Sequence, residues 1–112
     1  MSITIYHNPR CSKSRQTLAL LEEKGITPVI IEYLETPPSV QELTTILTKM
    51  GKGPQDILRR KEAKEEGIDL SSDGDQLIKA IVAHPRALER PIVVNGDKAA
   101  MGRPPEAVLN IL

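Results

Sequence analysis

The sequence predicts an α/β fold in which helices flank a mixed four-stranded sheet, with a helical insertion between the second and third strands. Three observations lead to this fold class. The chain opens with a short strand, an amphipathic helix and a second short strand, the order of a parallel β-α-β unit. Near its end, two short strands are separated by Asn95-Gly96, a typical hairpin turn. Between these parts, apolar residues recur at helical spacing.

The β-α-β unit is predicted from alternation and stop signals. Apolar and polar residues alternate over residues 3–6, which indicates a strand. A helix is predicted from about Cys11 to about Lys24, where Gly25 supplies a stop signal. Residues 29–33 are rich in β-branched side chains, and this continuous apolar run predicts a second strand at a central position of the sheet.

The helical insertion begins with a capping box, because Ser39 stands three residues before Glu42. The helix that follows has an apolar stripe formed by Val40, Leu43, Ile46, Leu47 and Met50. A short helix is predicted after Pro54, and residues 61–70 are expected to form a surface loop or short helix. Asp73 offers the cap of a further helix that ends near His84-Pro85.

The C-terminal part is predicted as strand, hairpin, strand and helix. Residues 90–94 form the third strand, Asn95-Gly96 a type I′ turn, and residues 98–101 the fourth strand. Pro104 suits the first turn of the last helix. This layout is that of the thioredoxin fold, and we expect residues 1–112 to form a single domain of that kind.

Composition excludes several classes of function. A single cysteine excludes an intrachain disulfide and any cysteine-based zinc or iron–sulfur site within one chain. Fifteen basic residues balance fifteen acidic ones, and two tyrosines are the only aromatic residues, so we expect no nucleic-acid partner. With no signal-peptide pattern and no membrane-spanning segment, a free thiol predicts a cytoplasmic protein. Nothing indicates a large apolar interface, so we expect a monomer.

The chemistry concentrates in the turn between the first strand and the first helix. Cys11 stands at the start of that helix, where unpaired backbone N–H groups and the helix dipole favour an anion. Basic and hydroxyl side chains surround it in sequence: His7, Arg10, Lys13, Ser14 and Arg15. Such a setting lowers a thiol pKa from ~8.5 toward roughly 7 or below, so we hypothesise that Cys11 is a thiolate nucleophile.

Two other interpretations of this turn compete with that hypothesis. Most free cysteines are inert and buried, and Cys11 could be one of them. A metal site built from His7, Cys11 and His84 has only three scattered ligands, and we expect no metal. Because Ser14 replaces a second cysteine, any redox cycle at Cys11 must take its resolving thiol from another molecule.

The sequence resembles the glutaredoxin- and glutathione-coupled arsenate reductases. The resemblance begins with Ile3-Thr4-Ile5-Tyr6-His7-Asn8-Pro9-x-Cys11-x-x-Ser14-Arg15-x-Thr17-Leu18. It continues through Tyr33-Leu34-Glu35-x-Pro37-Pro38-Ser39, Leu58-Arg59, Asp75-Gln76-Leu77-Ile78, His84-Pro85, Arg90-Pro91-Ile92-Val93-Val94 and Arg103-Pro104. These motifs span essentially the whole chain and are specific in combination.

The resemblance implies a thioredoxin-like fold and an enzyme that reduces arsenate to arsenite, with glutathione as co-substrate, glutaredoxin as partner and no bound cofactor. It implies that Cys11 is catalytic and that His7 and Ser14 hold it as a thiolate. It also implies that an arginine triad binds the oxyanion and that Pro91 is the cis proline of the fold. The triad is Arg59, Arg90 and Arg103, with Arg60 as an alternative to Arg59.

Each arginine, taken alone, is more often a solvated surface charge than a ligand. The competing function is a general glutathione-dependent thiol oxidoreductase, or a redox-regulatory protein of the same superfamily, without significant arsenate activity. A regulator of that kind usually carries a Cys-x-x-Cys switch, which Ser14 removes from this chain.

Overall fold

A computed structural model describes residues 2–112 of the chain. The strands are β1 (Ile3–His7), β2 (Val29–Glu32), β3 (Ile92–Asn95) and β4 (Lys98–Met101). The α-helices are α1 (Ser12–Glu23), α2 (Val40–Met50), α3 (Arg60–Glu65) and α4 (Gly74–Ala83). Short 3₁₀ helices cover Pro54–Ile57, Pro85–Ala87 and Pro105–Ile111.

The four strands form one mixed sheet in the order β2-β1-β3-β4. β1 pairs in parallel with β2 and antiparallel with β3, and β3 pairs antiparallel with β4. The helical segments between β2 and β3 form the expected insertion. The predicted fold class is therefore confirmed.

Contacts divide the chain into two compact units. The sheet unit combines the residues up to Thr36 with Arg90–Leu112, and the helical unit is Pro37–Glu89. The helical unit thus corresponds to the insertion, and the expectation of a single domain stays a prediction. No helix described between residues 2 and 112 is long and apolar enough to cross a membrane.

The core of the sheet unit lies where α1 and the C-terminal 3₁₀ helix pack on the sheet. Ile5 of β1 and Val93 of β3 are completely buried there with Leu21 of α1 and Val108 of the 3₁₀ helix. Apolar burial of this kind is the main stabilising contribution to a small domain. It fixes α1 against the sheet through Leu21 in the C-terminal half of the helix.

The helical unit confirms the predicted caps. The Ser39 hydroxyl accepts a hydrogen bond from the Glu42 N–H, and the Glu42 carboxylate accepts one from the Ser39 N–H, both at 3.0 Å. These bonds satisfy backbone donors at the start of α2. The Asp73 carboxylate accepts the Gln76 N–H at the start of α4. Buried side chains face inward from both helices, among them Leu43 and Leu77.

The prediction that the second strand is central is wrong. β2 is an edge strand that pairs with β1 alone, and Val29 and Ile30 are 51% and 48% exposed. A β-branched run also suits an extended backbone without being buried on both faces. The run therefore identified the strand correctly but not its position.

The hairpin forms, but the predicted type I′ turn is wrong. Asn95 pairs with Lys98 as the last residues of the strands, so Gly96 and Asp97 are the central turn residues. Gly96 has a φ of 61°, and no residue other than glycine has a positive φ in the described chain. Type I′ needs positive φ at both central residues, whereas positive φ at the first alone is typical of type II′.

The last helix also differs in detail from the expectation. It is a 3₁₀ helix over Pro105–Ile111, with Pro104 at the N-cap rather than inside the first turn. Two consecutive prolines offered two possible starts, and Pro105 occupies the first helical position, where its missing N–H leaves no donor unsatisfied.

Candidate functional site

The turn after β1 places Cys11 at the N-cap of α1. The Cys11 N–H donates to the Asn8 carbonyl at 3.0 Å, and the Arg10 N–H donates to the Asn8 side-chain oxygen at 3.0 Å. These bonds close a tight turn in which the asparagine side chain mimics a backbone acceptor. Cys11 is 7% exposed, so it reaches the surface without being widely solvated.

Hydrogen-bond donors and a positive charge stabilise the thiolate form of Cys11. Burial by itself raises the pKa of the thiol. The Ser14 backbone N–H, the Arg90 charge and hydrogen bond, and the Lys13 backbone N–H together outweigh burial, so the pKa of Cys11 is lower than that of an ordinary thiol. A thiolate is the nucleophilic form of cysteine, so this geometry suits attack on an electrophile.

Two of the three predicted oxyanion-binding arginines stand beside the sulfur. The Arg103 guanidinium lies 3.8 Å from Cys11 Sγ through Nη2, and the Arg90 side chain donates a hydrogen bond to the same sulfur. Arg103 Nε also donates to the Arg90 carbonyl at 2.9 Å, which ties the two residues together. Guanidinium groups remain charged and match tetrahedral oxyanions in geometry.

Proline residues follow both of these arginines. The Arg90–Pro91 and Arg103–Pro104 peptide bonds are both cis. The sequence indicated Pro91, through the family resemblance, but gave no sign of the second cis bond.

His7 and Ser14 form a buried pair behind the nucleophile turn. His7 Nδ1 lies 2.6 Å from Ser14 Oγ, which also accepts the Asn8 N–H at 3.0 Å. Burial lowers the pKa of His7, which outweighs the opposing effect of the Glu32 carboxylate, and the Arg15 charge lowers it further. The lowered pKa favours the neutral imidazole, in which the bond to Ser14 Oγ has Nδ1 as donor in one tautomer and as acceptor in the other.

The basic residues nearest to Cys11 in sequence act differently from the expectation. Arg15 donates through Nη1 to the Pro9 carbonyl at 2.9 Å and so braces the turn. Lys13 contributes its backbone N–H to the thiolate. The dominant side-chain cation is Arg90, distant in sequence, so the local basic cluster is not the main source of positive charge at the sulfur.

Gly102 is a residue of the site that sequence reasoning missed. A Cβ at this position would stand 2.5 Å from Thr17 Oγ1 and 2.8 Å from Pro91 Cγ. Its N–H donates to the Pro91 carbonyl at 2.9 Å. Only glycine permits this close approach of the chain between β4 and Arg103 to Thr17 of α1. A glycine just after a strand and before the triad arginine was the available signal.

Arg59 belongs to the helical unit, where it is the N-cap of α3. Its N–H donates to the Ala87 carbonyl at 2.7 Å, and its Nη2 forms an ion pair with Glu62 at 2.8 Å. Arg60 instead donates through Nη2 to the Gln55 side chain at 3.3 Å. The choice of Arg59 as the third triad member stays a prediction.

The chain is similar to known proteins along most of its length. The ArsC family model matches residues 6–111. The chain belongs to the ArsC family. An arsenate reductase from Haemophilus influenzae is 51% identical over 100% of both chains. Another from Neisseria meningitidis serogroup A is 48% identical over 98% of this chain and 97% of its own length.

A solved structure agrees with the same family. The arsenate reductase structure from Vibrio cholerae matches 100% of this chain and 98% of its own with a TM-score of 0.92, at 49% identity. This ArsC chain therefore has a thioredoxin-like fold, as the sequence predicts.

This ArsC site combines one nucleophilic sulfur with two fixed cations. Within residues 2–112, no group of three or more histidine, cysteine, aspartate or glutamate residues is arranged to hold a metal ion. The described residues place a sulfur that favours its thiolate form next to the guanidinium groups of Arg90 and Arg103.

Proposed function

We propose that this ArsC chain is an arsenate reductase, an oxidoreductase that converts arsenate to arsenite with electrons from glutathione and glutaredoxin. The observation that carries the proposal is the pair of guanidinium groups at Cys11 Sγ, one of them 3.8 Å away. An uncharged disulfide substrate would not need two arginines at the nucleophile. A doubly charged tetrahedral oxyanion would. The names of the Haemophilus and Vibrio relatives support the same activity.

The first step is nucleophilic attack on arsenic. The Cys11 thiolate forms a sulfur–arsenic bond, and one arsenic–oxygen bond breaks. The leaving hydroxyl takes up a proton and departs as water. Arg90 and Arg103 neutralise the charge of the incoming anion, which the thiolate would otherwise repel. They then neutralise the charge of the thiol–arsenate adduct.

The second step transfers two electrons to arsenic. A glutathione thiolate attacks Cys11 Sγ, so that a sulfur–sulfur bond forms while the sulfur–arsenic bond breaks. The bonding pair stays on arsenic, which passes from the +5 to the +3 state and leaves as arsenite. The two sulfur atoms together supply both electrons and remain joined as a mixed disulfide.

The third step restores the thiolate with a thiol from outside the chain. Cys11 is the sole cysteine, so no internal thiol can resolve the mixed disulfide. We assign this step to glutaredoxin, which attacks the glutathione sulfur and releases Cys11. The cycle then requires no bound cofactor, proceeds in a monomer and belongs to a reducing compartment such as the cytoplasm.

The test is arsenite formation by the purified protein with arsenate, glutathione and glutaredoxin. Cys11→Ser should abolish the arsenate-dependent rate, because the nucleophile is lost. Arg103→Ala should lower kcat/KM for arsenate by about 10²–10³, the range for losing one preorganised charge donor. Lys98→Ala removes an exposed cation from the start of β4 and serves as the control, with an unchanged rate expected.

Two outcomes would contradict the proposal. One is arsenate-independent disulfide reduction that needs Cys11 and survives replacement of both Arg90 and Arg103, which describes a general thiol oxidoreductase. The other is an arsenate-dependent rate equal in wild type and Cys11→Ser. Arg59→Ala and Arg60→Ala, compared in the same assay, assign the third arginine: we expect the larger loss from Arg59→Ala.

A further inference from the structure

A pocket of about 240 Å³ opens on the sheet unit beside the nucleophile turn. Its walls include His7 and Arg10 from the turn after β1, and Glu32, Leu34 and Glu35 from the end of β2. Arg90 and Arg103 are absent from its lining, so this pocket is separate from the cations at the sulfur. Its function is assigned neither by the family model nor by the proposed reaction.

Parallel pairing of β1 and β2 brings the two walls together. His7 and Glu32 are register partners at the carboxyl ends of these strands. The chain then turns, with the Glu35 and Thr36 N–H groups donating to the Glu32 carbonyl at 3.0 and 2.9 Å. This turn fixes Glu35 on the same side as Glu32.

The pocket offers unpaired polar groups of both signs. Glu32, Glu35 and Arg10 are exposed, and none has an ion-pair partner within residues 2–112. His7 is only 6% exposed and lines the pocket, and its Nε2 has no hydrogen-bond partner in that part of the chain. In the tautomer in which the Ser14 hydroxyl donates to Nδ1, Nε2 carries the ring proton and can donate.

These groups are complementary to an α-amino acid. Two carboxylates accept from an ammonium group, whereas the Arg10 guanidinium and the His7 Nε2–H donate to a carboxylate. Leu34, 42% exposed, offers an apolar surface to intervening methylene groups. An inorganic oxyanion fits poorly, because the carboxylates outnumber the cation.

We propose that this pocket holds the free amino-acid head group of the thiol co-substrate, a peptide thiol of the glutathione class. The inference rests on the proposed function for its reductant. Arg10 directly precedes Cys11, and consecutive Cα atoms are about 3.8 Å apart. An extended tripeptide thiol spans about 10 Å, which is more than the Cα separation of Arg10 and Cys11. Its sulfur can therefore meet Cys11 while its terminal amino-acid group lies in the pocket. The arginines then bind oxyanion and the pocket binds reductant.

Disulfide exchange without arsenate tests the pocket directly. The reduced protein is mixed with glutathione disulfide, and the mixed disulfide at Cys11 is followed by mass. Glu35→Lys should slow this reaction at least about fivefold, because a lysine repels the ammonium group that Glu35 attracts. The same variant should react at the wild-type rate with bis(2-hydroxyethyl) disulfide, which has no charged head group.

Two controls separate this effect from general charge and folding changes. Glu23→Lys reverses a charge at the far end of α1 and should leave both rates unchanged. In the unreactive Cys11→Ser background, S-methylglutathione should shift the backbone NMR signals of Arg10 and Glu35, and Glu35→Lys should weaken that binding at least about threefold. Equal rates with glutathione disulfide, or unchanged binding of S-methylglutathione, would overturn the proposal.

Both readouts are independent of arsenate chemistry. If wild type fails to reduce arsenate but shows head-group discrimination, the proposed function falls and the pocket stands. If arsenate is reduced and Glu35→Lys treats both disulfides as wild type does, the pocket assignment falls alone.

Discussion

Replacing Gly102 by alanine tests how closely β4 must approach α1 for the site to form. The added Cβ would stand 2.5 Å from Thr17 Oγ1, so one of them must move by about 0.9 Å to reach the 3.4 Å of an ordinary contact. Thr17 cannot give way easily. It is fully buried, β-branched, and held by its hydroxyl bond to the Lys13 carbonyl at 2.8 Å.

The Pro91 ring adds a second obstacle at 2.8 Å. Overpacking against stiff groups costs about 1–3 kcal/mol of the free energy of unfolding. At roughly 4 °C per kcal/mol for a domain of this size, Tm should fall by about 4–12 °C in circular dichroism melts. Gly102 does not need a positive φ, so backbone strain is not part of this loss.

Gly74→Ala is the matched control, because no atom stands within 4 Å of its Cβ and its φ is not positive. That change should raise the free energy of unfolding by about 0.4–1 kcal/mol, because alanine lowers the conformational entropy of the unfolded chain. Since the added Cβ also presses on Pro91, which directly follows Arg90, Gly102→Ala should also raise the pKa of Cys11, measured by thiolate absorbance. An unchanged Tm together with an unchanged pKa would refute the close-approach argument.

Four further predictions follow from single groups. Because Arg90 lowers the pKa of Cys11, Arg90→Ala should move half-maximal thiolate absorbance to higher pH. Because the pKa of Cys11 is lowered in the folded chain, the free energy of unfolding of wild type should rise relative to that of Cys11→Ser as pH rises through the folded-state pKa. The difference should level off above about pH 8.5–9, where the thiol of the unfolded chain also ionises. Urea titrations at several pH values would measure this difference, and a constant difference would count against a lowered thiol pKa. Because Glu32 raises the pKa of the buried His7, Glu32→Gln should lower that pKa, and an NMR titration in which it stays unchanged or rises would disprove the contact. Ser39→Ala removes one half of the capping box and should cost about 1 kcal/mol, measured by urea unfolding, whereas a loss near zero would show that the cap contributes nothing.

Local signals in the sequence predicted most of the fold. The start of α2 followed from Ser39 and Glu42, since a capping box depends on residues three apart. The helix over Ser12–Glu23 likewise followed from apolar spacing and the glycine after it. Such features need no knowledge of distant contacts, which explains why they could be read directly.

Features that depend on neighbouring strands were harder to predict. The apolar run in β2 looks the same for an edge strand as for a central one, because hydropathy does not state how many strands pair with it. The hairpin was recognisable from Asn95-Gly96, but pairing of Asn95 with Lys98 set the turn one residue later. Register is a property of two strands and was therefore not fixed by one turn sequence.

The residues of the candidate site show the same difference between local signals and contacts distant in sequence. Cys11 stood out because a helix start concentrates backbone donors, which is a local effect. Arg90 and Arg103 were predicted only through the family resemblance, because the residues next to them in sequence do not distinguish them from surface charges. Gly102 escaped notice because its role depends on Thr17 and Pro91, which are far from it in sequence.

The backbone origin of two thiolate contacts has a consequence for how this site can change over generations. Ser14 and Lys13 both stabilise the sulfur through main-chain N–H groups, which every residue except proline possesses. The side chain at position 13 is therefore open to substitution without loss of those two donors. Selection can therefore change the surface charge of the turn while the sulfur keeps both backbone donors.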